Sequence, residues 1–140
     1  MMAESRIEYK GGYKYQLVVE YSVSVSVMPQ ADIRTDYVDL TTEGQLIMKK
    51  GYAWDGPSGP TIDTSTFMRG SLVHDALYQL MRNDLISEDE WRKQADKEMR
   101  RICREDGMCR ARAWWTYWAV RLFAGKAASK EKRKKVKVAP

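Results

Sequence analysis

The sequence is poor in the residues on which much protein chemistry depends. It contains one histidine, His74, and two cysteines, Cys103 and Cys109, which lie six positions apart. This spacing is not a metal-binding pattern. We expect reduced thiols as in cytosolic proteins, with a disulfide as the alternative. Any reaction of this chain that needs an imidazole must therefore use His74.

Long apolar segments are also lacking. No apolar stretch reaches the roughly 18 residues that a membrane-spanning helix needs. The first twelve residues have no apolar segment of the kind that a signal peptide contains. The hydrophobic content of 44% is nevertheless sufficient for a core, and 140 residues are enough for one domain. We therefore expect a folded chain with neither a signal peptide nor a transmembrane segment.

Acidic residues are almost missing from the C-terminal end. Residues 129–140 hold six of the 24 basic residues and one of the 19 acidic residues, so the rest of the chain has 18 of each and the net charge of +5 lies in the tail. A basic tail attracts anionic lipid or, non-specifically, nucleic acid; a solvated tail without a partner is the alternative. The basic residues of this tail are Lys130, Lys132, Arg133, Lys134, Lys135 and Lys137.

The N-terminal third has the pattern of β-structure. Residues 19–27 alternate β-branched residues with serine, which is typical of a strand with one buried face. Residues 37–40 and 46–48 flank Thr42-Glu43-Gly44, which predicts a hairpin turn. We expect a small antiparallel sheet that covers a helical unit.

A loop rich in glycine and proline follows the predicted sheet. Asp55-Gly56 is followed by Pro57, Ser58, Gly59 and Pro60, a composition that excludes helix and central strand. Such a loop can direct backbone carbonyls toward a hard cation such as Ca²⁺. A tight structural turn would explain the same composition.

The only histidine lies in a predicted helix. Leu72, Val73, Ala76, Leu77, Leu80 and Met81 recur at helical spacing and predict one apolar face. His74 and Asp75 lie beside this face, and Tyr78 follows one turn later. We expect these three side chains at the edge of the packed face, where a site can form.

A second predicted helix faces the first. Ser87 and Glu90 form a capping box, and Trp91, Ala95, Met99 and Ile102 form an apolar stripe. Asp96 lies next to that stripe. Because two helices joined by a short connection run antiparallel, we expect His74 and Asp96 to meet.

The third predicted helix, about residues 109–124, is rich in aromatic residues. It carries Trp114, Trp115, Tyr117, Trp118 and Phe123. Trp114 and Trp118 share a face, whereas Trp115 points about 100° away, so some aromatic surface should be exposed at an interface. Tryptophan is typical of membrane–water boundaries, although packing in a core or an oligomer interface is the alternative.

Taken in order, the Asp55-Gly56 loop, the His74-Asp75-x-x-Tyr78 helix and the Ala95-Asp96 helix resemble the phospholipase A2 superfamily. The similarity extends over about residues 51–104 and is to the small bacterial enzymes and the phospholipase domain of parvovirus capsids. From the β-region to residue 121, the chain also looks like a family of uncharacterised small proteins common in tailed-phage genomes. The resemblance implies a Ca²⁺ loop followed by an antiparallel helix pair.

The phospholipase resemblance also implies a role for each site residue. His74 would be the general base that activates water against an ester carbonyl, and Asp96 would fix its tautomer. Asp75 would bind Ca²⁺ together with the Asp55 carboxylate and the Gly56 carbonyl, and Tyr78 would steady one of the aspartates. The alternative is a buried polar network that only fixes the helix pair.

These features predict an α+β protein: a β-rich subdomain at residues 1–50, a phospholipase A2-like helical unit at 51–126 that ends in the aromatic helix, and a basic tail at 127–140. We expect a phage-encoded, Ca²⁺-dependent lipid ester hydrolase, or alternatively a non-enzymatic virion or assembly protein that uses the fold as a scaffold. The expected partners are a phospholipid membrane surface or other virion subunits, with nucleic acid as a further partner of the tail. The expected location is the host cytoplasm or the virion.

Overall fold

The computed structural model describes residues 7–10, 15–54 and 65–123 of the chain. In these ranges short strands precede three helices, so the predicted α+β class is confirmed. The strands are β1 (Tyr9–Lys10), β2 (Tyr15–Leu17), β3 (Tyr21–Ser24), β4 (Ile33–Arg34), β5 (Val38–Leu40), β6 (Gln45–Met48) and β7 (Ala53–Trp54). The helices are α1 (Ser65–Arg82), α2 (Glu88–Glu105) and α3 (Arg110–Phe123).

The strands form two small antiparallel sheets rather than the single sheet that the sequence predicted. One sheet has the order β1-β2-β7 and the other the order β3-β6-β5-β4. The alternating pattern shows that a strand buries one face, but it does not identify the partner strand. β7 lies beyond the predicted boundary at residue 50 and pairs with β2, with Trp54 opposite Tyr15.

The predicted hairpin between β5 and β6 is present. Gly44 has a φ of 84°, and its amide donates to the Thr41 carbonyl at 3.0 Å. A Cβ at Gly44 would lie 2.2 Å from the Val25 carbonyl oxygen, so only glycine fits this turn. Val23, Val25 and Val27 are buried in alternation with serines, although β3 itself ends at Ser24.

The first helix of the pair, α1, begins at Ser65, earlier than the apolar spacing indicated. The second helix, α2, begins where the sequence predicted. Ser87 is the N-cap of α2, and its hydroxyl accepts from the Glu90 amide at 3.2 Å. Arg69, early in α1, binds Asp106 just after α2, whereas Tyr78, late in α1, contacts Arg92 near the start of α2. The two helices are therefore antiparallel.

The crossing of α1 and α2 is close. A Cβ at Gly70 would lie 2.5 Å from Cys103 Sγ and 3.1 Å from the Met99 carbonyl oxygen. Cys103 is buried and Cys109 exposed, and both are free thiols. Burial raises the pKa of the Cys103 thiol to about 12, so this cysteine acts as a small apolar side chain.

One hydrophobic core joins the sheets to the helix pair. It combines sheet residues such as Leu17 and Leu46 with helix residues such as Leu72, Leu77 and Ile102. The main core therefore crosses the predicted boundary between β-region and helical unit. α3 packs through a smaller cluster, composed of Phe67, Met99, Cys103, Met108 and Ala113. Within the described ranges, no helix is long and apolar enough to cross a membrane.

Candidate functional site

Three of the residues predicted to form the site, His74, Tyr78 and Asp96, meet where α1 crosses α2. His74 and Tyr78 lie one turn apart on α1, with ring centroids 4.0 Å apart, and Asp96 faces them from α2. The apolar stripes on either side hold this arrangement, because burying them fixes the rotation of both helices. Asp96 is 0% exposed and His74 is 6% exposed, so the histidine lies deeper than the edge position that the sequence suggested.

The expected contact between the imidazole and the second-helix aspartate is present. His74 Nε2 lies 2.7 Å from Asp96 Oδ1. Burial opposes ionisation of Asp96, but the electrostatic effect of His74 and the hydrogen bonds from His74, Tyr78 and Arg121 outweigh it and lower the pKa of this carboxyl. Since an ionised carboxylate can only accept, the His74 proton must lie on Nε2, and the lone pair of the neutral ring lies on Nδ1.

Tyr78 supports the same carboxylate. Its hydroxyl donates to Asp96 Oδ1 at 2.5 Å, and Arg92 Nε donates to that hydroxyl at 3.3 Å. Burial, together with the negative charge of Asp96, raises the pKa of Tyr78 well above its usual value. Tyr78 therefore stays protonated and acts as a donor, and the aspartate that it steadies is Asp96.

Two arginines of this cluster were not predicted. Arg121 Nη1 lies 2.9 Å from Asp96 Oδ2, and Arg92 Nη2 donates to the carbonyls of Val120 and Arg121 at 3.1 and 2.7 Å. Arg92 had a signal in the sequence, since it precedes Asp96 by four residues and so shares its helix face. Arg121 had none, because its contact depends on how α3 packs against α2.

The predicted Ca²⁺ ligands are only partly described. Asp75 is half-buried beside His74, whereas Asp55 and Gly56 lie outside the described residues. Within the ranges that are described, no group of three or more His, Cys, Asp and Glu side chains could hold a metal ion. The basic tail residues, Lys130 to Lys137, also lie outside those ranges. The calcium site therefore stays a prediction.

The described cluster can hold one neutral imidazole in one tautomer. Asp96 accepts from Nε2 and is itself held by Tyr78 at Oδ1 and by Arg121 at Oδ2, so the carboxylate that orients the ring is fixed at both oxygens. A ring fixed in this way can accept a proton at Nδ1 and can stabilise the resulting imidazolium through Asp96. These are the properties of a general base.

A further pair of polar clusters anchors the helices to the sheet. Arg69 is buried and bonds Tyr21 at 2.8 Å and both oxygens of Asp106 at 2.9 and 3.0 Å. Glu98 accepts from the amide and hydroxyl of Ser26. All the groups named here are paired, so we interpret these clusters as structural.

Comparison with known proteins identifies one family. A model described as "Protein of unknown function (DUF1353)" matches residues 32–120, which is more than half of the chain and includes both α1 and α2. No curated protein and no solved structure matches the chain.

Proposed function

The chain belongs to this DUF1353 family of unknown function, and we propose that it is a phospholipase A2-like ester hydrolase in which His74 is the general base. The observation that carries the proposal is the 2.7 Å contact between His74 Nε2 and the fully buried carboxylate of Asp96. A base needs an acceptor that fixes its tautomer, and this contact supplies one. The choice of a phospholipase A2-like reaction rests on the resemblance in sequence: a glycine-rich loop, then the helix with His74, then the helix with Asp96.

The proposed reaction is hydrolysis of a lipid ester. His74 Nδ1 takes a proton from a water molecule as the water oxygen bonds to the ester carbonyl carbon. The Asp96 carboxylate stabilises the imidazolium that forms. When the carbon–oxygen bond to the alcohol breaks, His74 returns the proton to the departing oxygen, and a fatty acid and an alcohol are released.

Tyr78 and Arg121 act in this proposal by holding Asp96. Tyr78 donates to Oδ1 and Arg121 to Oδ2, so the carboxylate cannot turn away from His74. Arg121 also offsets the cost of keeping a charged carboxylate fully buried. Both are positioning residues, because neither would touch the substrate.

We further propose that Ca²⁺ assists the reaction through Asp75, with the Asp55 carboxylate and Gly56 carbonyl. Oxygen ligands of this kind suit a hard cation, and Asp75 lies directly beside the proposed base. Calcium would polarise the ester carbonyl and stabilise the negative charge that develops on its oxygen.

One observation favours a second candidate, a non-enzymatic virion or assembly protein of a phage. Within the part of the chain that the structure describes, the bonds that Asp96 accepts come from the side chains of His74, Tyr78 and Arg121, and the His74 side chain is only 8% exposed. A buried network of this kind can have a purely structural role, in which it fixes the helix pair and takes no part in chemistry. The two candidates predict different results for the release of fatty acid. A hydrolase should lose this activity when His74 is replaced, whereas a scaffold should have no such activity.

The test is release of fatty acid from phosphatidylglycerol vesicles in millimolar Ca²⁺. We expect the wild-type protein to release fatty acid and His74→Gln to be about 100-fold to 10,000-fold slower, the usual contribution of a general base. Lys97→Gln is the matched control, because Lys97 is exposed and adjacent to Asp96. A wild-type protein without activity, or a His74→Gln variant as active as wild type, would contradict the hydrolase and favour the scaffold.

A further inference from the structure

The outer side of α3 carries a cluster of exposed apolar side chains, which we call the tryptophan face. Trp114 is 61% exposed and Leu122 is 70% exposed, with Trp115 and Trp118 at 44% and 45%. The expectation that part of the aromatic surface is exposed is therefore confirmed. Single exposed apolar residues are ordinary, but three indoles and a leucine on two turns form a patch of the kind that marks interaction sites.

The tryptophan face cannot rotate into the core, because the opposite side of α3 is already packed. Ala113 and Tyr117 are buried, and the Arg100 guanidinium lies 4.2 Å from the Tyr117 ring centroid. The end of the helix is held by Arg92, which binds the Val120 and Arg121 carbonyls. Exposure of the indoles is thus a fixed property of the fold.

The sequence that follows α3 is strongly basic. Leu122, the last residue of the tryptophan face, is followed after four positions by Lys126. The segment from Lys126 to Lys137 holds seven basic residues and one acidic residue, Glu131. An apolar face and a cationic segment are therefore joined directly in the chain.

We propose that the tryptophan face docks the protein on an anionic lipid surface, and that the positive charge of the sequence following α3 selects for this surface. Such a surface offers an apolar layer next to a layer of negative charge, and indoles settle at the boundary between them. Lysine and arginine next to the boundary are attracted by the anionic headgroups. The inference is independent of the proposed hydrolysis, since docking needs neither His74 nor Asp96.

A second copy of the chain fits this face less well. With about 150–250 Å² for each aromatic side chain, the exposed parts of the three indoles come to roughly 400 Å². A standard interface buries about 800 Å² on each partner. Each copy also carries the net charge of +5, and like charges oppose association of two copies.

The experiment uses vesicles of ether-linked phosphatidylglycerol, which contains no carboxylic ester bond, so that failure of docking and failure of hydrolysis are distinguishable. We expect the full chain to sediment with these vesicles, to bind phosphatidylcholine vesicles at least tenfold more weakly, and to shift its tryptophan emission to the blue. Binding should weaken as salt is raised, because exposed charges are screened.

Two sets of variants test the tryptophan face and the charge of the basic segment separately. Trp114→Gln with Trp118→Gln should lower the affinity at least tenfold and reduce the blue shift, and both positions are exposed, so the fold should be retained. Lys132→Gln with Lys134→Gln should lower the affinity for phosphatidylglycerol only. Leu85→Gln is the control, because Leu85 is an exposed apolar residue outside the tryptophan face.

Three outcomes would overturn the inference. The first is absence of binding to phosphatidylglycerol vesicles. The second is binding that the tryptophan substitutions leave unchanged, which would assign it to the basic segment alone. The third is a dimer in sedimentation velocity, or a complex with single-stranded DNA, that those substitutions abolish while vesicle binding persists.

Discussion

Replacing Asp96 by asparagine tests the buried cluster with the smallest change of shape. Asp96 is 0% exposed and accepts bonds from His74, Tyr78 and Arg121. Asparagine keeps one acceptor oxygen but replaces the other oxygen with an NH₂ group, which can only donate. At least one of the three donors must then face another donor at a side chain that is itself fully buried.

The size of the effect follows from these contacts. A hydrogen bond to a charged group contributes about 1.5–3 kcal/mol net. Breaking a buried ion pair costs about 3–5 kcal/mol when the remaining charge stays buried. The Arg121 side chain is 24% exposed and can turn partly to water, so the lower part of that range applies. We expect Asp96→Asn to lower the free energy of unfolding by about 2–4 kcal/mol.

Urea denaturation followed by circular dichroism measures this change. The midpoint should fall while the slope of free energy against urea stays constant, since the surface exposed on unfolding is the same. Lys97→Asn is the matched control, since it introduces the same residue at an exposed position of the same helix. A loss below about 0.5 kcal/mol, the range of ordinary surface substitutions, would refute the reasoning.

Three further predictions concern acid, packing and calcium. The pKa of Asp96 is lowered from 3.8 on folding, so its contribution to stability is complete above that value and is lost as the pH falls through the folded pKa. Below about pH 4, the midpoint of thermal unfolding should therefore depend more steeply on pH in the wild type than in Asp96→Asn. Gly70→Ala should destabilise the fold by about 1–3 kcal/mol in urea denaturation, because its Cβ would meet Cys103 Sγ. Adding Cys103→Ala should recover part of this loss, and purely additive effects of the two substitutions would contradict a close crossing. Calorimetry should detect Ca²⁺ binding at millimolar concentration in the wild type and none in Asp75→Asn; equal binding by both would remove Asp75 from the site.

The meeting of His74 and Asp96 could be predicted because only local features determine it. Apolar spacing fixes the rotation of each helix, and the short connection after Arg82 makes the helices antiparallel. The partner at Asp96 Oδ2 could not be predicted in the same way. Arg121 reaches it through the packing of α3, and that packing depends on the shapes of many side chains and has no signature in one segment.

The β-region shows the same division between local and distant information. The alternation of valine and serine predicted which side chains of residues 19–27 are buried, and Gly44 predicted the turn. The division into two sheets depends on the pairing of β7 with β2, which are separated by about 35 residues of chain. Because strand pairs at that separation are chosen by tertiary packing, the sequence pattern predicted strands but not their sheet.

The central claim is that Asp96 holds His74 as a base with its lone pair on Nδ1. Nitrogen NMR of the imidazole tests this directly, since the chain has only one histidine and its ring signals need no further assignment. At a pH where the ring is neutral, we expect the proton on Nε2, shifted downfield by its bond to the carboxylate, and Asp96→Asn should remove that shift. A ring protonated on Nδ1, or a spectrum that Asp96→Asn leaves unchanged, would contradict the account.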